Sequence, residues 1–425
     1  MKLAFVVARY GAELSDGPEH ACRLIAEQVS TRHDVEVLTT CARDDQTWKN
    51  EYPEGADRVR GVLVRCFAVS GTRDPQAVRT LTDRLLTTPH SHSEELEWVR
   101  RVGPSAPGLI DFVKRNHRNF DALVFYSWRH ATTIQGLPLA PDRSILFPWL
   151  LPDPALRLGI AQETLGLATG IGYLSATERR LLRLYTRTPP PHDEIVGIGI
   201  EPPAQQTYPR MTEPWTPSPD EEDVETAEAA SDMGMSYLAG RGVPFRRRHR
   251  LHGRFVLHGG RVEPNNGCEE MIEHFAAYAK QDADTPLVLM GVKMMKLPDE
   301  RFLRLAGVLP ERECMVAFEA ADVTVAPEAD DLMAKPVLES FAVGTPVLAS
   351  AMNLAAVDHS RRANAGLYYA NGDEFVEALR LVMSNDRLRG ALGRNGRNYI
   401  RQHYRWDVVL GRFERLVNKI KGQRS

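Results

Sequence analysis

The residues best equipped for chemistry lie in Pro327–Val347, PEADDLMAKPVLESFAVGTPV. The stretch holds one carboxylate at Asp331 and a second at Glu339, eight positions on (339 − 331). Val323–Val325 reads as a buried strand that Pro327 ends. Pro336 suits the first turn of a helix over Lys335–Val343, where its missing N–H is not needed. Gly344 suits the left-handed stop of that helix. A loop opening into a helix N-terminus presents free N–H groups and a partial positive charge, which is chemistry suited to a diphosphate. Lys335 is unusual there, because a cation in the first turn opposes the helix dipole by about 0.3–1 kcal/mol. A bound anion would remove that penalty. The plain alternative is a solvated lysine in a structural loop.

Two other loops carry candidate groups. The first strand-to-helix connection, ARYGAELSDGPEH, holds Gly11 and Gly17 but no G-x-G-x-x-G, which argues against a dinucleotide oxidoreductase. Gly17 before Pro18 lets the backbone approach a phosphate, or simply makes a turn. Further on, FVLHGGRVEPNNGCEEMI places Gly260 and Arg261 between a strand and a helix start. The arginine fork suits phosphate, and pairing with the nearby Glu263 is the alternative.

These loops sit within alternating elements. In the first half, strands are expected at Lys2–Ala8, Asp34–Thr39, Gly61–Phe67, Asp121–Tyr126, Ser144–Pro148, Ala168–Leu174 and Glu194–Ile198. Helices fall at Pro18–Ser30, Pro75–Leu86, Glu94–Arg101, Ala106–Asn116 and Ala176–Arg187. That alternation predicts a doubly wound parallel sheet. The composition then shifts. Residues 201–250 run through Pro-rich, acidic and basic blocks, ending in Arg246-Arg247-Arg248, and read as a linker with a flexible charged insertion. The alternation restarts from Arg254. The expected organisation is a first Rossmann-like domain over 1–200, the linker over 201–250, and a second such domain over 251–405. A last helix, from Trp406, then crosses back onto the first domain; Trp406, Val409 and Phe413 form its apolar stripe. A ligand is expected in a cleft between the domains, at strand carboxyl ends.

A chain of 425 residues exceeds one ordinary core, which supports two domains. A net charge of −3 gives no reason to expect nucleic acid as a partner. No apolar run approaches the ~18 residues of a membrane span, and MKLAFVVARYG is too short in its apolar part for a signal peptide. The five scattered cysteines form no C-x-x-C pair and read as reduced thiols of a cytoplasmic protein. The thirteen histidines show no metal-ligand spacing.

Taken together, PLVLMG, PVLESFAVGTPVLAS, AGLYYANGDEF, LRGALGRNGRNYIRQHY and YRWDVVLGRFERL, with HACRLIAEQVSTRHDVEVLTTCARD and GIGIEPP in the first half, resemble the retaining GT-B glycosyltransferases of family four. The resemblance spans nearly the whole chain. It implies an α/β fold of two Rossmann-like domains and a nucleotide-sugar donor, with no metal and no separate cofactor.

The resemblance also implies roles. The donor diphosphate would meet Arg261 and the glycines Gly17, Gly260 and Gly291, with Asn266 standing where the family carries a lysine. Asp331 stands for the carboxylate on the sugar hydroxyls, and Glu339 keeps the one on the ribose. The base would meet backbone at Val308-Leu309, and the amides of Leu332 and Met333 would hold the diphosphate beside Lys335. Asp331, Arg261 and Lys335 are thus the candidates for catalysis. Lys335 could offset the missing lysine, with Lys293 a second candidate. On the acceptor side stand Asp16, His130, Leu151 and Asp153, where Leu151 replaces a family histidine and Asp153 a glutamate. The implied reaction moves a sugar from a GDP or UDP donor to a small-molecule or glycan acceptor with retention. Natural-product or surface-glycan biosynthesis is the expected setting, and the missing histidine suits an unusual acceptor such as a thiol. A degenerate protein that binds a nucleotide or a partner enzyme without transfer is the alternative, because the departures cluster at the site.

Overall fold

The computed structural model describes residues 1–15, 17–186, 190–201, 242–329 and 331–423, without the side chain of Asn265. Two compact units divide them. The first comprises residues 1–199 with the helix from Trp406, and the second comprises residues 200–405.

The first unit is built on a sheet of eight strands. In chain order they are β1 (Lys2–Val6), β2 (Asp34–Thr40), β3 (Gly55–Val59), β4 (Val62–Phe67), β5 (Ala122–Tyr126), β6 (Ser144–Phe147), β7 (Gly170–Tyr173) and β8 (His192–Ile195). Their spatial order is β3-β4-β2-β1-β5-β6-β7-β8. All pairings are parallel except β3 with β4. The central strands are apolar on both faces because helices cover both. β3 was not legible in the sequence. Its GADRV is polar and largely exposed, and a hairpin turn with positive φ at Arg60 and Gly61 pairs it to β4. The last helix, Trp406–Gln423, packs on this sheet. Val409 and Phe413 are fully buried, and Phe413 stacks 5.9 Å from Phe5 and 6.5 Å from Phe147.

The second unit repeats the design with β9 (Val256–Gly259), β10 (Leu287–Met290), β11 (Leu303–Gly307), β12 (Val323–Ala326), β13 (Val347–Ser350) and β14 (Gly366–Tyr369). They pair in parallel in the order β11-β10-β9-β12-β13-β14. β11 and the helix Leu354–Ala363 are further elements that the sequence pattern did not reveal. β11 is an edge strand that, although Leu303 and Leu305 flank Arg304, contains no buried residue.

The linker expectation needs a correction at its end. Residues 202–241 lie outside the described residues, but residues 243–250 are folded onto the second unit. Val243–Arg248 is a short helix. Arg246 is buried, lies 3.6 Å from Asp322, and donates to the Gly253 carbonyl at 2.6 Å. Arg248 pairs with Glu313. The charge composition reads as a solvated or acid-paired flank, and the structure gives Arg246 and Arg248 acidic partners.

In each sheet one strand has neighbours that run off in opposite directions. In the first, β1 lies between β2 and β5; in the second, β9 lies between β10 and β12. Loops that leave the carboxyl ends at such a point diverge and open a crevice, which is where open α/β sheets bind ligands.

Candidate active site

The two donor-motif loops leave the switch point of the second sheet. Gly260–Gly267 follows β9 and Pro327–Ala334 follows β12. Glycine lets them touch. A Cβ on Gly267, at φ +76°, would lie 2.7 Å from the Pro327 carbonyl oxygen. One on Gly291, at φ +138°, would lie 1.8 Å from the Gly260 carbonyl oxygen. The Gly260 amide donates to Met290 and the Gly291 amide to Gly307, each at 2.9 Å. The ends of β9, β10 and β11 are thereby tied together. Val308-Leu309 follows directly, with Val308 exposed.

Asp331 does not project freely. Its Oδ1 accepts the amides of Ala334 at 2.8 Å and Met333 at 3.1 Å. The Met333 amide expected to hold a diphosphate is therefore already used. Burial raises the Asp331 carboxyl above its ordinary range, and these two amides oppose the shift. Ala334 caps the helix in the left-handed conformation at φ +46°, a local strain of the kind found at functional loops.

The helix Lys335–Val343 begins and ends where Pro336 and Gly344 suggest. The anion beside Lys335, however, is Glu339, one turn on. Its Oε1 takes the Lys335 Nζ, and Glu311 from the helix Glu311–Ala320 lies 3.9 Å from the same nitrogen. Burial, the largest influence, would lower the Lys335 ammonium, but the charge and hydrogen bond of Glu339 with the charges of Glu311 and Cys314 together outweigh it and the net shift is upward. Glu339 is buried, which raises its carboxyl despite Lys335.

Arg261 reaches Glu263 at 3.1 Å with half its side chain exposed. Asn266 sits in a short 3-10 turn with its amide 3.4 Å from the Glu263 carbonyl. Lys293 is exposed and bridges in register with Val262. One group was missed by sequence reasoning. Glu328 is buried directly behind the Gly260 turn, 3.6 Å from His258 Nδ1. Burial, then the charge of Asp331, pushes its carboxyl up to about 8. The only signal was an acidic residue just after the strand-ending Pro327.

The residues expected on the acceptor side lie in the first unit. Gly17 opens the helix Gly17–Val29 at φ +73°. Asp16 lies outside the described residues. His130 follows β5, and Asp153 pairs with Arg129 at 2.8 Å while capping a short turn at Ala155. Leu151 is half-buried in the loop after β6. That loop is held by Glu178, whose buried carboxylate accepts the Leu150 amide at 3.0 Å and the Leu174 amide at 2.7 Å. Burial raises Glu178 to about 7.

Residues 244–399 match the family described as glycosyl transferases group 1. The chain carries a group 1 glycosyl transferase domain. Over these residues, 156 of the 425 (399 − 244 + 1), the chain is similar to group 1 glycosyl transferases, and both donor-motif loops lie within them. Solved structures extend the likeness in fold to the whole chain. Sucrose-phosphate synthase from Thermosynechococcus elongatus is 14% identical, with 99% of each chain covered and a TM-score of 0.63. Anabaena HepE in complex with UDP and glucose is 12% identical, covers 98% of this chain and 99% of its own, and has a TM-score of 0.64. A trehalose 6-phosphate synthase from Burkholderia multivorans is 12% identical over all of both chains, at 0.60. These glycosyltransferase likenesses agree with two Rossmann-like units of the GT-B kind. No described helix is long and apolar enough to cross a membrane.

Proposed function

We propose that the glycosyltransferase takes a UDP-sugar as donor, binds its nucleotide at the second sheet's switch point, and transfers the sugar with retention. The observation that carries this reading is the meeting of both donor-motif loops at that point, with Glu339 buried one turn inside the helix. The uracil lies against backbone at Val308-Leu309. The ribose hydroxyls donate to Oε2 of Glu339, since Lys335 occupies Oε1. The diphosphate meets Arg261, the Gly260 turn and the positive end of the helix. Asp331, locked by two amides, accepts from the sugar hydroxyls. Charge developing on the leaving diphosphate is stabilised electrostatically by Arg261 and the helix end, without a resident metal. UDP is favoured over GDP because HepE, of like fold, is recorded with UDP.

A second reading, nucleotide binding without transfer, draws on one observation. Lys335 and the Met333 amide are both committed to carboxylates of the protein itself. Incubation with UDP-glucose, followed by proton NMR of the anomeric region, separates the two. Release of glucose as its α-anomer first supports transfer with retention. UDP-glucose that stays intact while UDP binds supports the second reading.

A further inference from the structure

The first sheet has its own switch point, between β1 and β5. Two loops leave it, carrying Arg9 after β1 and Arg129-His130 after β5. Arg73, just before the helix Pro75–Thr87, and the loop after β2 with Asp45 and Trp48 complete the surroundings. The Arg73 guanidinium lies 5.9 Å from the Trp48 ring centroid, and the His130 imidazole meets the same ring edge-on at 5.7 Å. Arg129 lies 5.6 Å from the ring of Trp98. Two guanidinium groups and an imidazole therefore gather against two indoles, with the charge of Arg9 also acting on the imidazole.

The carboxylates nearby do not match them one to one. Arg9 takes Glu19 at 3.2 Å and Asp45 at 3.8 Å, and Arg129 takes Asp153 at 2.8 Å. Among the described residues Arg73 has no carboxylate within 4.0 Å; its Nη1 donates to the Asp45 backbone carbonyl. Nε of Arg73, Nε of Arg129 and Nδ1 of His130 are all buried without a hydrogen-bond partner. A buried donor left unmade costs about 1–3 kcal/mol, so three at one place are a concentrated expense. Electrostatics agrees. Burial lowers Arg73, and the charge of Arg129 lowers it further. Burial, then Arg9, Arg129 and Arg73, pushes His130 down to about 3. Backbone strain falls at the same end of the sheet. Ser127 after β5 and Trp149 after β6 hold φ of +66° and +54°.

We propose that this cluster binds an oxyanion, a phosphate or carboxylate group carried by the acceptor. The forks of Arg73 and Arg129 clamp two of its oxygens and His130 donates to a third. Oxyanions suit such forks because parallel N–H donors match their oxygen spacing. The assignment of the anion to the acceptor rests on the donor site being in the second unit. The acceptor is then an acidic molecule, such as a phosphorylated or uronic sugar, and the negative charge orients the hydroxyl that receives the sugar.

The test is calorimetric titration of the full chain with inorganic phosphate at constant ionic strength, with sodium chloride as the matched control. Acetate forms a second arm. Saturable binding that weakens about ten-fold in Arg73→Ala, and less in Arg73→Lys, is expected. Phosphate titrated into the wild type with UDP present at saturation should bind this cluster with unchanged affinity, which separates it from the donor site. Tighter binding of acetate than phosphate identifies a carboxylate acceptor; the reverse identifies a phosphate. UDP affinity should be the same in wild type and Arg73→Ala. Failure of wild type to bind UDP would remove the donor reading and leave the anion result standing. Melting curves check the fold of each variant, and Arg73→Lys with Arg129→Gln carries the comparison if Arg73→Ala is unstable. Phosphate binding no stronger than chloride, or binding untouched by the Arg73 and Arg129 variants, overturns the proposal.

Discussion

Lys335 and Glu339 form an ion pair one helical turn apart, inside the motif that the second sheet presents at its switch point. A lysine at the positive end of a helix is normally unfavourable. Here the cost is met within the helix by an (i, i+4) partner, with Glu311 as a second, longer contact. Lys335 is thereby a positioning residue. It fixes one oxygen of the carboxylate proposed to receive the ribose.

Removing the ammonium should therefore weaken uridine and UDP alike. For Lys335→Ala we expect losses of about 1–2 kcal/mol for both, read by calorimetry. A loss confined to UDP would instead assign Lys335 to the diphosphate. Asn266→Lys adds a cation near the diphosphate position and should tighten UDP while leaving uridine unchanged.

Glu328 makes stability depend on pH. Its folded carboxyl titrates at about 8, against roughly 4.3 for a free glutamate. Between these values the folded state holds a proton that the unfolded state has lost, so stability falls as pH rises through the window. The penalty is absent below the lower value and complete above the upper one. Glu328→Gln removes it. Its melting temperature should exceed the wild-type value at pH 9, by the equivalent of a few kcal/mol, and converge on it towards pH 4. A difference that is constant with pH would contradict this account of the buried carboxyl.

Gly291 holds the ends of β9 and β10 together at a backbone conformation that side chains rarely adopt. Gly291→Ala drives a methyl into the Gly260 carbonyl. We expect destabilisation of about 1–3 kcal/mol, with a matching fall in UDP affinity because the Gly260 turn must move. Unchanged melting and unchanged affinity would show that the turn is more pliant than its packing indicates.

Most of the fold was legible because apolar strands alternate with amphipathic helices and the stops are explicit. Pro327, Pro336 and Gly344 bound their elements as read. The missing pieces were the edge strands β3 and β11, which bury no residue fully, and the helix Leu354–Ala363. Site types were legible, but partners were not. Sequence places Lys335 in a first turn but does not say whether its flexible stem turns outward or along the helix to Glu339. It gives Asp331 as a carboxylate, but the two amides that lock it follow from the left-handed turn at Ala334. Arg73 carried no signal in the sequence, because it lies far along the chain from Arg9 and Arg129 and only the fold brings the three near His130.

The central claim is that Glu339 receives the nucleotide ribose on the second unit. Titration of UDP into wild type and Glu339→Ala, each checked for fold by melting, tests it most directly. The account predicts measurable binding to wild type and a loss of about 1–3 kcal/mol in the variant, or roughly 5- to 150-fold in affinity. No binding of UDP or GDP to wild type, or equal affinity for a folded Glu339→Ala, would contradict it.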